Sequence, residues 1–113
     1  MTDHINIRKA GGTWVVRSSG AVLAESKAAL ELTEGSYGAV IYIPRDDIAM
    51  EFFEKTDSST KCPYKGTASY YAIHGKSGVI TDAAWSYDTP LESVAAIGGH
   101  LAFFTDKVTV EQV

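Results

Sequence analysis

The chain has 113 residues, of which 45% are hydrophobic and 21% are charged, and its formal net charge is −4. This length fits a single domain over residues 1–113, and the composition is that of a folded, soluble protein. Because a negative net charge opposes attraction to phosphate-rich partners, the composition argues against a nucleic acid partner and against an acidic membrane surface.

The first part of the sequence predicts strands and one short helix. Residues 13–17 and 21–25 are β-prone and flank a Ser-Ser-Gly turn at 18–20, which predicts a hairpin. Ser26 is a good N-cap, so residues 26–32 are predicted to form a helix that stops before Gly35.

The middle of the sequence predicts further strands. The apolar run 37–43 ends at Pro44 and predicts a buried strand that enters a turn. Residues 50–55 predict the next strand, and the polar run 56–60 predicts a loop.

A second hairpin is predicted from two longer β-prone segments. Residues 67–74 and 79–87 flank a Gly-Lys-Ser-Gly turn and are expected to pair antiparallel, with an aromatic side chain on each face of the first strand. Thr-Pro-Leu-Glu at 89–92 has the form of a capping box and predicts a second short helix that ends at Gly98-Gly99. Segments 101–104 and 108–113 supply the last strands. Because strands predominate and short turns join them, the sequence predicts a mainly β protein with antiparallel sheets and two short helices.

Residues 60–70, T-K-C-P-Y-K-G-T-A-S-Y, contain the strongest candidate for chemistry. Lys61 and Lys65 flank Cys62, the single cysteine, and their positive field favours the reactive thiolate. This predicts Cys62 as a catalytic nucleophile or redox centre and Lys65 as the residue that activates it. An isolated cysteine is more often a small packed hydrophobe, so the structural interpretation stays open beside the catalytic one.

The second hairpin is also expected to bring a ligand pocket together. The loop 62–66 lies at its entry and the aromatic residues lie along its strands, an arrangement typical of a small-molecule site with few polar anchors. Lys65 is the expected anchor for an anionic group. The alternative is that the aromatic side chains belong to the core. The predicted ligand-binding residues are Tyr64, Tyr70, Trp85 and Tyr87.

Several other functional classes have no support in the sequence. The three histidines are scattered and no C-x-x-C pair exists, so we predict no metal site and no cofactor. A G-x-x-x-x-G-K-[ST] phosphate loop is absent. Turn carboxylates are usually solvated, but they are also candidate bases or partners that orient Lys65, and these are Asp46, Asp47 and Asp82.

The cellular setting is predicted from the same residues. One cysteine excludes an intrachain disulfide, and the first residues lack the basic and apolar regions of a secretory signal. No apolar run approaches the roughly 20 residues that span a bilayer. We therefore expect a cytoplasmic protein without a membrane partner.

Three motifs together resemble a known family: Y-I-P-R-D-D-I at 42–48, the Cys62 segment at 60–70, and D-A-A-W-S-Y at 82–87. Over nearly its whole length the chain resembles the family catalogued as Domain of Unknown Function 427. The resemblance implies a β-tent fold, similar in architecture to methionine-R-sulfoxide reductases and glutathione-dependent formaldehyde-activating enzymes. Those proteins commonly carry zinc-binding cysteines that this chain lacks, so neither the metal nor the chemistry is carried over. The resemblance also implies that segments 60–70 and 82–87 form a shared pocket.

Three functions are compatible with these residues. The primary prediction is a domain that binds a small anionic or aromatic metabolite between the Cys-Pro-Tyr-Lys-Gly and Ala-Trp-x-Tyr segments. The first alternative is a thiol-dependent enzyme that uses Cys62. The second is an interaction module in which the same residues are a packed signature of the fold.

Overall fold

This computed structural model describes residues 4–113, which contain ten strands and three short 3₁₀ helices. The strands belong to three antiparallel sheets, which confirms the predicted mainly β fold class. The strands are β1 (Ile5–Lys9), β2 (Trp14–Ser18), β3 (Ala21–Ser26), β4 (Leu30–Glu34), β5 (Tyr37–Tyr42), β6 (Phe53–Cys62), β7 (Gly66–Gly75), β8 (Gly78–Ser86), β9 (Leu101–Phe103) and β10 (Thr109–Gln112).

The first two sheets contain three strands each, in the orders β1-β4-β5 and β10-β2-β3. The hairpin predicted at residues 18–20 is confirmed, because β2 pairs with β3 across a two-residue turn. Ser19 and Gly20 have φ values of 50° and 81°, and two consecutive left-handed residues are what the common type I′ hairpin turn requires.

The third sheet has the order β6-β7-β8-β9 and carries the signature segments. The predicted β7–β8 hairpin is confirmed, with Tyr70 directly opposite Trp85. The first sheet joins the third through Ile43, whose N–H and C=O both hydrogen-bond to Leu101, the first residue of β9, at 2.8 and 2.9 Å. The β4–β5 hairpin faces β7 and β8 across a cavity.

The helix predicted over residues 26–32 is wrong. Leu30 begins β4, which pairs with β1 on one side and with β5 on the other. Ser26 does behave as a local cap, since its hydroxyl accepts the Ala28 N–H at 3.0 Å, but the same hydroxyl donates to Asp47 at 2.6 Å. A short segment of marginal helix propensity is overridden here by two flanking strands that take its backbone hydrogen bonds.

Two further element predictions need correction. Residues 56–60 are not a loop but the middle of β6, an edge strand with a bulge between Lys55 and Ser59. Its polar sequence reflects exposure, which is common at sheet edges. Residues 50–52 form a 3₁₀ helix, Met50–Phe52, so the strand predicted at 50–55 starts at Phe53.

The second predicted helix is also a short 3₁₀ segment, Glu92–Ile97, which follows an uncapped Leu91. The capping box at 89–92 is therefore wrong. A third 3₁₀ helix, Arg45–Asp47, follows Pro44 where the turn was predicted. Among residues 4–113 no helix is long and apolar enough to cross a membrane.

The third sheet separates two hydrophobic cores. On β9 the side chains of Leu101 and Phe103 belong to the first core, and that of Ala102 belongs to the second. This is the alternation that a strand buried on both faces shows. Trp14 packs against the first core and Trp85 against the second. The buried members of the second core are Leu32, Tyr42, Ala68, Tyr87, Val94, Ile97 and Ala102.

Candidate functional site

A cavity of about 270 Å³ opens at the second core, between the β4–β5 hairpin and the face of β7 and β8. We call it the aromatic pocket, because aromatic rings form most of its wall. Its polar lining consists of Glu34 and Lys65. The rings are those of Tyr37, Tyr42, Tyr70, Trp85, Tyr87 and Phe104, and the remaining lining residues are Leu32, Gly38 and Val40.

The structure brings four of the six sequence-predicted site residues into this pocket: Lys65, Tyr70, Trp85 and Tyr87. Cys62 is half-buried and packs against the second core without lining the cavity. Tyr64 lies outside the pocket, where its ring stands edge-on to His4 with 4.6 Å between the ring centroids. The predicted convergence of the Cys62 loop and the hairpin therefore applies to Lys65 and not to Tyr64.

The side wall of the pocket is a row of three rings. Tyr70 and Trp85 are neighbours because they are directly paired across β7 and β8. Phe104 packs on both, stacked on Tyr70 with 6.2 Å between centroids and tilted against Trp85 at 4.6 Å. The Tyr70 hydroxyl shares a 2.8 Å hydrogen bond with Thr60, which holds the ring in place from outside the pocket.

Two of the tyrosines that line the pocket, Tyr42 and Tyr87, are buried. Tyr42 is 1% exposed and its hydroxyl accepts the Trp85 indole N–H at 3.3 Å. Burial raises the pKa of the Tyr42 phenol, and burial also raises the pKa of Tyr87, with smaller contributions from neighbouring negative charge that includes Glu34. This part of the pocket therefore disfavours a negative charge.

The polar wall is an ion pair. Lys65 Nζ donates to Glu34 Oε1 at 2.6 Å, and the two side chains are only 12% and 19% exposed. The hydrogen bond from Lys65 lowers the pKa of Glu34 by more than desolvation raises it. Desolvation lowers the pKa of Lys65, but Glu34 and the neighbouring Cys62 more than compensate, so the pKa of Lys65 is raised. Both groups are charged at neutral pH, and together they present no net charge.

The turn between β6 and β7 places Lys65 at the pocket. Its backbone N–H donates to the Cys62 carbonyl at 3.3 Å, and its carbonyl accepts the Leu91 N–H at 2.9 Å. Gly66 follows with a φ of 115°, a conformation that other residues rarely adopt. The Lys-Gly pair of the motif is thus explained by one residue that reaches into the pocket and one that allows the chain to turn into β7.

Sequence reasoning did not identify Glu34, Phe104 or Tyr37 as parts of the site. Glu34 ends β4, a strand that the sequence did not reveal, and Phe104 follows the short strand β9. Tyr42 stands at the start of the Y-I-P-R-D-D-I motif, which is the one signal in the sequence that points to it.

The carboxylate that orients Lys65 is that of Glu34, and not one of the turn carboxylates. Asp47 accepts the Ser26 hydroxyl at 2.6 Å. Asp82 accepts the hydroxyls of Thr56 and Ser58, each at 2.6 Å, and these bonds lower its pKa. The expectation that one of these carboxylates orients Lys65 is therefore corrected, because Glu34 is the carboxylate that hydrogen-bonds Lys65.

Arg45 belongs to the motif at 42–48 and connects it to the motif at 82–87. Its guanidinium donates to the Gly99 carbonyl at 3.1 Å, to the Tyr71 hydroxyl at 3.3 Å and to Asp88 at 3.0 Å. It also donates to the fully buried Ser86 at 3.5 Å. Arg45 thereby fixes the end of β8, immediately after Trp85, to the 3₁₀ helix that follows β5.

A larger groove of about 400 Å³ lies elsewhere, between the β2–β3 turn, Phe52 and the β7–β8 turn. It contains none of the sequence-predicted site residues, and the contact of its lining residue His74 with Glu54 is exposed, at 49% and 69% of the two side chains. We therefore assign the candidate site to the aromatic pocket. Within residues 4–113 no three His, Cys, Asp or Glu side chains come together as a metal site.

Comparison with known proteins agrees with the resemblance seen in the motifs. A family model described as a domain of unknown function (DUF427) matches residues 6–113, which is nearly the whole chain. No curated protein matches the chain.

Proposed function

Since the chain belongs to the DUF427 family, whose description gives no activity, we propose from the geometry of the site that this domain binds a small aromatic molecule in the aromatic pocket. The observation that carries the proposal is the row of rings formed by Tyr70, Phe104 and Trp85 along one wall of an open cavity. Rings that only fill a core are covered on all sides, whereas these rings border empty space.

The size of the pocket limits the ligand. Its volume of about 270 Å³ is just below the roughly 300–1,000 Å³ of pockets for drug-sized molecules. A molecule of one or two fused rings is therefore the expected occupant. Contacts between aromatic rings contribute about 0.5–1.5 kcal/mol each beyond area burial, so three rings on one wall supply useful affinity for a flat ligand.

The aromatic part of the original prediction has more support than the anionic part. The ammonium group of Lys65 already hydrogen-bonds the Glu34 carboxylate. An anionic ligand would compete with that carboxylate and approach two phenols whose surroundings disfavour negative charge. An uncharged ring neither competes with the Glu34 carboxylate nor brings a negative charge to the phenols.

The proposal is tested by calorimetric titration of one- and two-ring aromatic compounds into the protein and two variants. Phe104→Leu removes a ring face from the pocket and is expected to weaken binding about three- to tenfold. Phe52→Leu is the matched control, because Phe52 is 45% exposed and lines the other groove. If no such compound binds with a Kd below about 1 mM, or if both variants weaken binding equally, the proposal is wrong.

A second candidate function is thiol chemistry at Cys62. The observation in its favour is that this free, half-buried cysteine shares a turn with Lys65, whose backbone N–H donates to the Cys62 carbonyl at 3.3 Å. Under this proposal iodoacetamide modifies Cys62 rapidly near neutral pH. Lys65→Ala slows the reaction, and Glu34→Gln speeds it by freeing the lysine charge. Protection of Cys62 until the protein unfolds would reject thiol chemistry. It would leave ring binding, or a packed signature in an interaction module, as the function of these residues.

A further inference from the structure

The ion pair in the pocket wall points to the chemical class of the ligand. Building on the proposed function, we infer that the bound ring is neutral and carries a lactam-type edge, an N–H group next to a C=O group. In this inference Glu34 accepts the N–H and Lys65 donates to the C=O. The inference goes beyond ring binding, because it specifies which ring substituents the pocket selects.

The first step concerns hydrogen-bonding capacity. An ammonium group has three donors, and among residues 4–113 Lys65 Nζ donates to Glu34 Oε1 and hydrogen-bonds the Cys62 side chain, which leaves one donor. A carboxylate has about four lone-pair sites. Glu34 accepts the bond from Lys65 through Oε1, and its Oε2 lies 3.5 Å from His4 Nε2. Both groups therefore retain capacity for a ligand without breaking their own bond.

The second step concerns geometry. A donor and an acceptor that are joined at 2.6 Å stand side by side in the pocket lining. A ligand that satisfies both must present an acceptor and a donor side by side, as an oxygen and an N–H nitrogen bonded to the same carbon do. The lactam edge of a heteroaromatic ring does so within the ring plane, and that plane also allows the ring to lie against the aromatic wall.

The third step concerns charge. The pair contributes no net charge, so a charged ligand would be attracted to one member and repelled by the other. The burial that raises the pKa of Tyr42 and of Tyr87 acts against any further negative charge in the same cavity. With side chains only 12% and 19% exposed, hydrogen bonds to these two charged groups are desolvated and therefore selective.

Three two-ring compounds test the inference on the unaltered protein by calorimetry at pH 7. 2-Quinolone has the lactam edge, quinoline has the rings without it, and quinoline-2-carboxylate is an anion. We expect 2-quinolone to bind at least about tenfold more tightly than either of the others. Because this comparison uses one protein, it does not depend on the folding of a variant.

A matched pair of variants assigns the effect to the ion pair. Glu34→Gln is expected to weaken 2-quinolone about tenfold and to leave quinoline unchanged. Glu31→Gln, the same change on the same strand at a residue that pairs with Arg8 outside the pocket, is expected to change neither.

The outcomes separate the two proposals. If the three compounds bind within about threefold of one another, or if the carboxylate binds most tightly, the lactam inference is wrong while ring binding stands. If Glu34→Gln weakens quinoline as much as 2-quinolone, the inference is likewise wrong. If no compound, quinoline included, binds with a Kd below about 1 mM, both proposals fail together.

Discussion

Lys65 and Glu34 depend on each other, because each is a little-exposed charge that has the other as its hydrogen-bonded counterion. Lys65→Met should destabilise the protein by about 1–2 kcal/mol, since it leaves the Glu34 carboxylate without its partner. The double variant Glu34→Gln/Lys65→Met should lose clearly less than the sum of the single changes. Urea denaturation measures all three. The same cycle on the exposed pair of Arg17 and Glu111 should show a coupling below about 0.5 kcal/mol, and equal couplings would contradict this account.

The Glu34–Lys65 pair makes the free energy of unfolding depend on pH in the acidic range. Because the pKa of Glu34 is lowered in the folded state, its contribution is fully present above the ordinary carboxyl value of about 4.3 and is lost as the pH falls through the lowered folded value. Stability measured between about pH 6 and pH 3 should therefore fall less steeply in Glu34→Gln than in the unaltered protein. Parallel curves would show that Glu34 contributes nothing to the acid sensitivity.

The buried phenols of Tyr42 and Tyr87 make the free energy of unfolding depend on pH in the alkaline range. Burial raises the pKa of Tyr42 and of Tyr87, whereas a tyrosine in the unfolded chain ionises near pH 10. Their contribution is present below about pH 10 and is lost as the pH rises toward the raised folded values. In an absorbance titration Tyr42→Phe and Tyr87→Phe should each remove a phenol that ionises only as the protein unfolds.

Part of the candidate site follows from short-range reasoning about residues. The sequence predicts Tyr70 and Trp85 on the two strands of one hairpin, but the register set by the turn would place Tyr70 opposite Ala83. A register shift between Tyr71 and Ile73 brings Tyr70 opposite Trp85. Glu34 had no such signal, since only pairing between distant strands brings it to Lys65, 31 residues away. Periodicity describes which face of one strand a side chain occupies, but not which sheet will cover that face.

At the scale of elements, the turn before β7 depends on one backbone conformation. Gly66→Ala should cost about 1–2 kcal/mol because φ is 115°, although an added Cβ would make only ordinary contacts, at 3.6 Å from Leu91 N and Pro90 Cα. Gly38→Ala is the matched control, since Gly38 lies in β5 without a positive φ and with open space around it. That change should be neutral or stabilise by up to about 1 kcal/mol. If Gly66→Ala and Gly38→Ala change the melting temperature equally, the positive φ of Gly66 is not what requires glycine there.

The link made by Arg45 depends on the shape of its guanidinium as well as on its charge. Arg45→Lys keeps the charge but loses the fork that reaches Gly99, Tyr71 and Asp88 together, so it should destabilise by about 1 kcal/mol or more. Arg8→Lys is the control, because Arg8 is 76% exposed and, among residues 4–113, bonds Glu31 alone. It should change stability by less than about 0.5 kcal/mol. Similar losses in both variants, measured in urea, would reduce Arg45 to an ordinary surface charge.

The elements that the sequence predicted well are those with strong local signals. The turns at residues 18–20 and 75–78 contain glycine and flank alternating strands, and both hairpins are present. Residues 30–32 of the helix predicted at 26–32, and the loop predicted at 56–60, had weak local signals and lie in β4 and β6, which pair with neighbouring strands. In sequence alone, a polar edge strand looks like a loop, and a short strand that pairs on both sides looks like a marginal helix. Only the neighbouring strands distinguish them.

At the scale of the whole molecule, the third sheet is the element that both cores share. Its strands β7, β8 and β9 contribute side chains to each core. Tyr71, Ala84 and Leu101 belong to the first core, and Ala68, the partly buried Trp85 and Ala102 pack in the second. Neither core can lose its packing without exposing a face of this sheet. The domain should therefore unfold as one cooperative unit, as small domains usually do.

Each core also contains one of the two tryptophans of the chain, so each has its own intrinsic fluorophore. Trp85→Phe leaves Trp14 to report on the first core, and Trp14→Phe leaves Trp85 to report on the second. Within each variant the fluorescence and far-ultraviolet circular dichroism transitions in urea should coincide, and an earlier fluorescence change in Trp14→Phe would show that the second core melts separately. If the domain is one unit, a compound held in the aromatic pocket raises the midpoint reported by Trp14 in the opposite core. Occupancy of the pocket then becomes visible through a fluorophore that the compound does not touch.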